Sequence, residues 1–165
     1  MSFRKLDKWA HAIAAFLALL GGAGLLAVVV VTCVSVIGRA ITPFGPVRGD
    51  FEIVEIGAGF AIFCFLPWCH LLRANATVDL FEASFGDRLN RVQNLAGDLL
   101  MLVFAAVILW RMWVGMGEKL AYRETTIILQ FPVWMTYALC MVGAVGLVIV
   151  SVFTVVKSTF KLGGG

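Results

Sequence analysis

Four long apolar stretches, separated by shorter polar segments, organise the chain. They cover residues 10–37, 52–72, 95–116 and 132–156. A helix needs about 20 predominantly apolar residues to cross the hydrocarbon core of a bilayer, and each stretch reaches that length. The pattern therefore predicts an all-α membrane protein with four transmembrane helices. Residues 1–162 are predicted to form one domain, and 163–165 a disordered tail or an artificial extension.

The segment between the second and third stretches has a different pattern. Within residues 78–95, Phe81, Phe85, Leu89 and Val92 recur at steps of four, four and three, and charged residues take other positions. This spacing puts the apolar side chains on one helix face. It predicts an amphipathic helix that lies flat in the membrane interface. Such a helix could brace a partner subunit or only connect two spans, and both interpretations stay open.

Composition agrees with a membrane protein. The chain is 61% hydrophobic and 14% charged, whereas charged residues make up about a quarter of a typical soluble domain. Arg4, Lys5 and Lys8 precede the first stretch, as in a secretory signal. The apolar core of a signal is usually only about 7–15 residues long, so the first stretch is expected to remain as a helix of the mature protein.

The positive charges predict an orientation. If the N-terminus is cytoplasmic, eight Lys and Arg residues flank the spans on that side and four on the other. This bias follows the positive-inside rule and predicts that both termini are cytoplasmic. It also accounts for the net charge of +3 without a nucleic-acid partner.

Few ionisable residues lie within the apolar stretches. Arg111 lies in the third one, and either its long stem reaches the headgroups or it pairs with an acid on a neighbouring helix. Glu52 and Glu55 open the second stretch, and Asp98 lies near the start of the third. A self-sufficient ion-coupled carrier would be expected to hold an acid near the middle of a span. The sequence has none there, which disfavours transport by this chain alone.

Other chemistry finds little support. His11 and His70 lie at the ends of apolar stretches, too near the membrane surface to ligate a haem inside the bundle. They are expected to bond headgroups or loop backbone. The four cysteines form no C-x-x-C pair, so no metal site is expected. Sequence patterns typical of hydrolases and metalloproteases are absent, so an enzyme is not expected.

Small residues recur at helical spacing. Ala14, Ala18 and Gly22 lie four residues apart in the first stretch, and Gly143 and Gly146 lie in the fourth. Small side chains let helix backbones approach closely in lipid. These positions are expected to pack within the bundle and also against another membrane protein.

The loop before the fourth stretch carries the most specific string of residues. It reads Tyr122-Arg-Glu-Thr-Thr-Ile-Ile-Leu-Gln-Phe-Pro-Val-Trp134. Its polar and aromatic pattern resembles that of the small membrane subunit of TRAP transporters, the tripartite ATP-independent periplasmic carriers. Other features agree with that family: Gly38-Arg39 after the first stretch, Glu52 and Glu55 opening the second, and His70 followed by Val78-Asp79. The residues singled out as partner-contact or structural candidates are Arg39, Glu52, Glu55, His70, Asp79, Arg111, Tyr122, Glu124, Thr125, Thr126, Pro132 and Trp134.

The resemblance implies a function that the residue pattern alone does not give. In such systems a soluble protein captures a small organic acid outside the cytoplasmic membrane, and a large membrane subunit moves it inward with sodium ions. The small subunit packs against the large one and extends the stationary scaffold of an elevator-type carrier. It can also contribute to the surface where the binding protein docks. No cofactor is expected in this chain, and the sodium ions are expected in the large subunit.

Two other functions remain as alternatives at this point. One is a haem-bearing membrane anchor of a respiratory complex, and the other is a small self-assembling exporter. For the loop string, too, two roles stay open. Either Glu124 and the two threonines cap local structure before Pro132, or they form a docking surface for a partner.

Overall fold

The structure is a computed structural model that describes residues 3–41, 47–72 and 87–163. It contains four long helices: α1 (Phe3–Ala40), α2 (Asp50–Leu71), α3 (Asp87–Ala121) and α4 (Val133–Gly163). All four are long and apolar enough to cross a membrane. The prediction of an all-α protein with four such helices is confirmed.

Three helices extend well beyond their predicted bounds; α4 continues to Gly163, past its predicted end at residue 156. α1 has 38 residues and is therefore about 57 Å long, nearly twice the thickness of a hydrocarbon core of ~30 Å. α3 begins at Asp87 and continues without a break to Ala121, so the second half of the predicted connector is its first turns. Residues 73–86 lie outside the described residues. An interfacial helix there, and the cytoplasmic termini, stay predictions.

α4 is the central helix of the bundle. It packs against α2 and α3 and also touches α1, whereas α2 packs against α1 and α4. Among the described helices, α3 packs against α4 alone and so lies at the edge. Burial follows this order, because 44% of the most apolar part of α4 is buried within the chain and 6% of that of α3.

The contact between α2 and α4 depends on a glycine. A Cβ atom at Gly143 would lie 2.4 Å from the carbonyl carbon of Phe63 and 2.8 Å from the backbone nitrogen of Cys64. Any side chain at position 143 would therefore force the two backbones apart. This is the close approach that small residues permit between helices in lipid.

The predicted small-residue stripe of α1 is used only in part. Ala14 is fully buried. At the other end of the stripe, a Cβ atom at Gly22 would meet no atom within 4 Å, whereas one at Gly21 would lie 2.8 Å from the Cβ of Cys64. The neighbouring glycine therefore makes the contact with α2 because it lies on the inner face of α1.

Alanine substitutions separate these two kinds of glycine. Gly143→Ala is expected to destabilise the purified chain by about 1–3 kcal/mol, because the added methyl group overpacks a backbone contact. Gly22→Ala is the matched control. It is expected to be neutral or to stabilise by up to about 1 kcal/mol, since alanine favours helix and finds open space. Thermal unfolding in detergent measures both, and equal melting temperatures for the two variants would contradict this packing.

Candidate partner-contact site

The end of the bundle where α3 ends and α4 begins is here called the loop end, and residues 122–134 the hairpin loop. The end of α1 and the start of α2 lie at the same end. Six of the twelve predicted site residues fall in the hairpin loop. The geometry of this end therefore decides what most of the predicted residues do.

α3 ends in a compact backbone turn. Arg123 has a left-handed conformation, with φ of 49°. Its N–H donates to the carbonyl of Leu120 at 3.3 Å, and the N–H of Glu124 donates to the carbonyl of Lys119 at 3.3 Å. These are the two bonds of a Schellman C-cap. An ion pair of 2.6 Å between Lys119 Nζ and Glu124 Oε2 joins the same two residues, so Glu124 stabilises the turn that starts the loop.

The chain then returns as a short hairpin. The N–H of Val133 donates to the carbonyl of Glu124 at 3.0 Å, and the N–H of Thr126 donates to the carbonyl of Phe131 at 2.9 Å. Thr125 and Pro132 form the antiparallel bridge between these bonds. The hydroxyl of Thr126 also accepts the N–H of Phe131 at 3.0 Å. The predicted local role of the threonines and Glu124 agrees with these contacts.

Glu52 ties the tip of the hairpin loop to α2. One carboxylate oxygen accepts the N–H of Ile128 at 2.8 Å, and the other accepts the N–H of Leu129 at 2.9 Å. Beside it, a Cβ atom at Gly49 would lie 2.6 Å from Cγ of Leu129, and Gly49 has a φ of 74°. Only glycine fits there, for both reasons. The sequence indicated that Glu52 matters but gave no sign of these partners.

The fixed tip presents apolar side chains outward. Ile127 is 94% exposed, and Ile128 and Tyr122 are also largely exposed. An exposed apolar side chain on a mobile loop would carry little meaning. Here its backbone is held by hydrogen bonds at both sides, so the apolar surface has a fixed position.

A second polar contact at the loop end joins α1 to α2. Asp50 Oδ2 accepts hydrogen bonds from Ser35 Oγ at 2.5 Å and from Arg39 Nη2 at 2.6 Å. The guanidinium carbon of Arg39 also lies 5.7 Å from the centroid of the Phe51 ring, within cation–π range. Arg39 was predicted as a site residue, whereas Asp50 was missed. The Gly-Asp pair before the second stretch, typical of a helix start, was the signal for it.

At the opposite end, His70 lies in the last turn of α2 but is more buried than the sequence indicated. It is 4% exposed, and its Nε2 lies 2.9 Å from Thr154 Oγ1 of α4. The same hydroxyl also lies 2.9 Å from the Ser151 carbonyl, so Thr154 joins His70 to the backbone of α4. His70 is therefore covered by α4 and bonded to it, a contact that the sequence did not indicate. His11 lies apart, with Nδ1 2.8 Å from the carbonyl of Asp7 in its own helix.

Asp98 is buried near the same end. It is 5% exposed, and its Oδ2 accepts a hydrogen bond of 2.5 Å from Ser158 Oγ of α4. Ser151, Thr154 and Ser158 are spaced three and four residues apart, so they share one face of α4. That spacing was the sequence signal for this buried polar face. Within the described residues, no group of three or more His, Cys, Asp or Glu side chains could hold a metal ion.

The remaining predicted residues are not brought into these clusters. Arg111 is exposed on α3 and Glu55 is exposed on α2. Neither makes a hydrogen bond or ion pair in the described part of the chain. Trp134 is half-buried at the start of α4. Asp79 lies outside the described residues.

Comparison with known protein families assigns the chain to one of them. The family model described as "Tripartite ATP-independent periplasmic transporters, DctQ component" matches residues 28–160. The chain belongs to this family. No curated protein and no solved structure gives a significant match.

Membership of the DctQ family confirms the resemblance seen in the sequence. Proteins of this family work with a DctM component and a DctP binding protein in TRAP systems. The chain is accordingly a multi-pass membrane protein and a transporter component, from a family that is not one of enzymes. The matched range includes the hairpin loop, Glu52 and His70 but not His11.

The clamp on the hairpin loop can be tested by removing its carboxylate. In Glu52→Ala, amide exchange at residues 127–131 is expected to accelerate by on the order of tenfold or more, because the tip loses two charge-assisted hydrogen bonds and opens locally. Hydrogen exchange with mass spectrometry measures this. Glu55→Ala, on the same helix and without such bonds, is the control and should leave the loop protected. Equal protection in both variants would show that Glu52 does not hold the tip.

Proposed function

We propose that this chain is the small scaffold subunit of a TRAP transporter in the bacterial cytoplasmic membrane. It packs against the large membrane subunit and supports sodium-coupled, binding-protein-dependent uptake of a small organic acid. The observation that carries this proposal is the family match over residues 28–160. Sodium coupling and the carboxylate substrate come from the resemblance and are assigned to no residue of this chain.

The packing supports a scaffold role. α2 and α4 meet backbone to backbone at Gly143, and interiors packed at such distances deform little. Polar contacts then fix both ends of the bundle, through Asp50 at the loop end and His70 at the other. A helix bundle held rigid by these contacts suits a stationary subunit against which a larger subunit moves.

The hairpin loop supports a docking role on the same side. With the orientation that the positive-inside bias favours, the loop end faces the periplasm. There the exposed Ile127 and Ile128 stand on a backbone held by Glu52. A pre-ordered loop loses less conformational entropy on binding than a flexible one. The two roles considered for the loop are therefore compatible, since its local bonds hold a surface that a partner can use.

Reconstitution tests the function directly. The chain is co-expressed with the membrane gene products from its own genomic neighbourhood, purified through a tag on this chain, and placed in liposomes with the binding protein. We expect a larger polytopic membrane protein to co-purify, and labelled organic acid to enter only with that protein, the binding protein and an inward sodium gradient. Uptake by this chain alone would favour the exporter alternative. A Soret band in the purified chain would favour the haem-bearing anchor.

Glu124→Ala is expected to lower uptake or recovery of the larger protein by about two- to fivefold, since the partly exposed pair with Lys119 is a weak contact that shapes the loop. Glu118→Ala, six residues earlier in the last turn of α3 and, among the described residues, without an ion pair to Lys119, serves as the matched control. Transport and co-purification are measured on the same preparations. If both are unchanged in Glu124→Ala, neither role of the residue holds.

A further inference from the structure

One helix of the bundle presents a long face that the chain itself does not cover. α3 packs against α4 alone among the described helices. On its outer side Leu100, Phe104, Val107 and Arg111 are all exposed. Their steps of four, three and four residues match the spacing of seams along which two helices pack side by side.

Arg111 lies at an unusual depth for a cation. Between Asp98 and Glu118 it is the one charged residue of α3. The twenty residue steps from Asp98 to Glu118 span about 30 Å, which is the thickness of a hydrocarbon core. Arg111 lies seven residues before Glu118, roughly 10 Å along the axis. Its Cα is therefore about a third of the way into the apolar layer.

A charge at this depth is stabilised by a partner, because its transfer from water into hydrocarbon is costly. The nearer layer of headgroups is at the C-terminal end of α3. Side chains on a helix lean towards its N-terminus, so Arg111 would have to turn against that direction to reach the phosphates. A carboxylate offered at its own depth satisfies the guanidinium without that turn, with two parallel hydrogen bonds.

We propose that the exposed face of α3, centred on Arg111, is the surface by which this chain holds the large membrane subunit. Its occupant is a transmembrane helix that presents a carboxylate at the depth of Arg111. This inference rests on the proposed function, because it takes the larger membrane protein as the partner. Beyond that function, the inference names α3 as the contacting helix and Arg111 as the charge that recognises the partner helix.

Photo-crosslinking in the co-expressed complex locates the contact. A photo-reactive amino acid is placed at Val107, on the proposed face, and at Leu26, which is exposed on α1. A crosslink to the large subunit is expected from position 107 and at least tenfold less from position 26. Crosslinks from position 26 but not 107, or from 107 only to lipid or to a second copy of this chain, would overturn the proposal.

Substitution of Arg111 tests the charge. Arg111→Leu is expected to lower recovery of the large subunit at least about tenfold, because it leaves the partner's carboxylate buried without its pair. Arg111→Lys should retain part of the recovery, and Arg48→Leu, an exposed arginine outside the spans, should retain all of it. Melting of the isolated chain is measured in parallel and should not change, which separates lost assembly from lost folding.

The outcomes also separate this inference from the proposed function. If no larger membrane protein is recovered with the unmodified chain, the proposed function fails. If the complex forms, but Arg111→Leu leaves its recovery intact, the function stands and the assigned face is wrong.

Discussion

The backbone contact between α2 and α4 is the constraint on which the rest of this bundle depends. In a bilayer, helices gain no hydrophobic free energy by leaving lipid for one another, so association relies on close packing and on polar contacts. Gly143 allows the backbones of α2 and α4 to meet directly, with the Phe63 carbonyl at its surface. This contact puts α4 at the centre, where it can touch the other three helices. The edge position of α3 follows, since it has α4 as its sole neighbour among them.

Polar contacts then fix how the helices are aligned along their axes. Dispersion between apolar side chains varies little when one helix slides along another, whereas a hydrogen bond in lipid is lost. Asp50 binds Ser35 and Arg39 at one end, and Thr154 binds His70 at the other. Because these contacts lie at opposite ends of α2, they oppose both sliding and tilting. The hairpin loop adds a further restraint, since Glu52 connects it to α2.

The parts that could be predicted from sequence are those that depend on composition over many residues. Four spans follow from hydropathy, because each needs only enough consecutive apolar residues. The contacts of single residues do not follow in this way. Gly21 and Gly22 are adjacent and identical, yet one meets α2 and the other open space, since the rotation of the helix decides. Likewise, His70 lies near the end of its helix in sequence but is covered in three dimensions by α4.

Polar and ionisable side chains that find partners within the chain have a different role from those that do not. Asp50, Glu52, His70 and Asp98 all find partners within the chain, so the bundle stabilises itself with them. Arg111 and Glu55 lie in the spans, are exposed, and have no such partner in the described part of the chain. A protein that worked alone would carry the cost of both without gain. In a component of a larger assembly, the same residues can become stabilising when another chain supplies the opposite charge, and they then make that assembly selective.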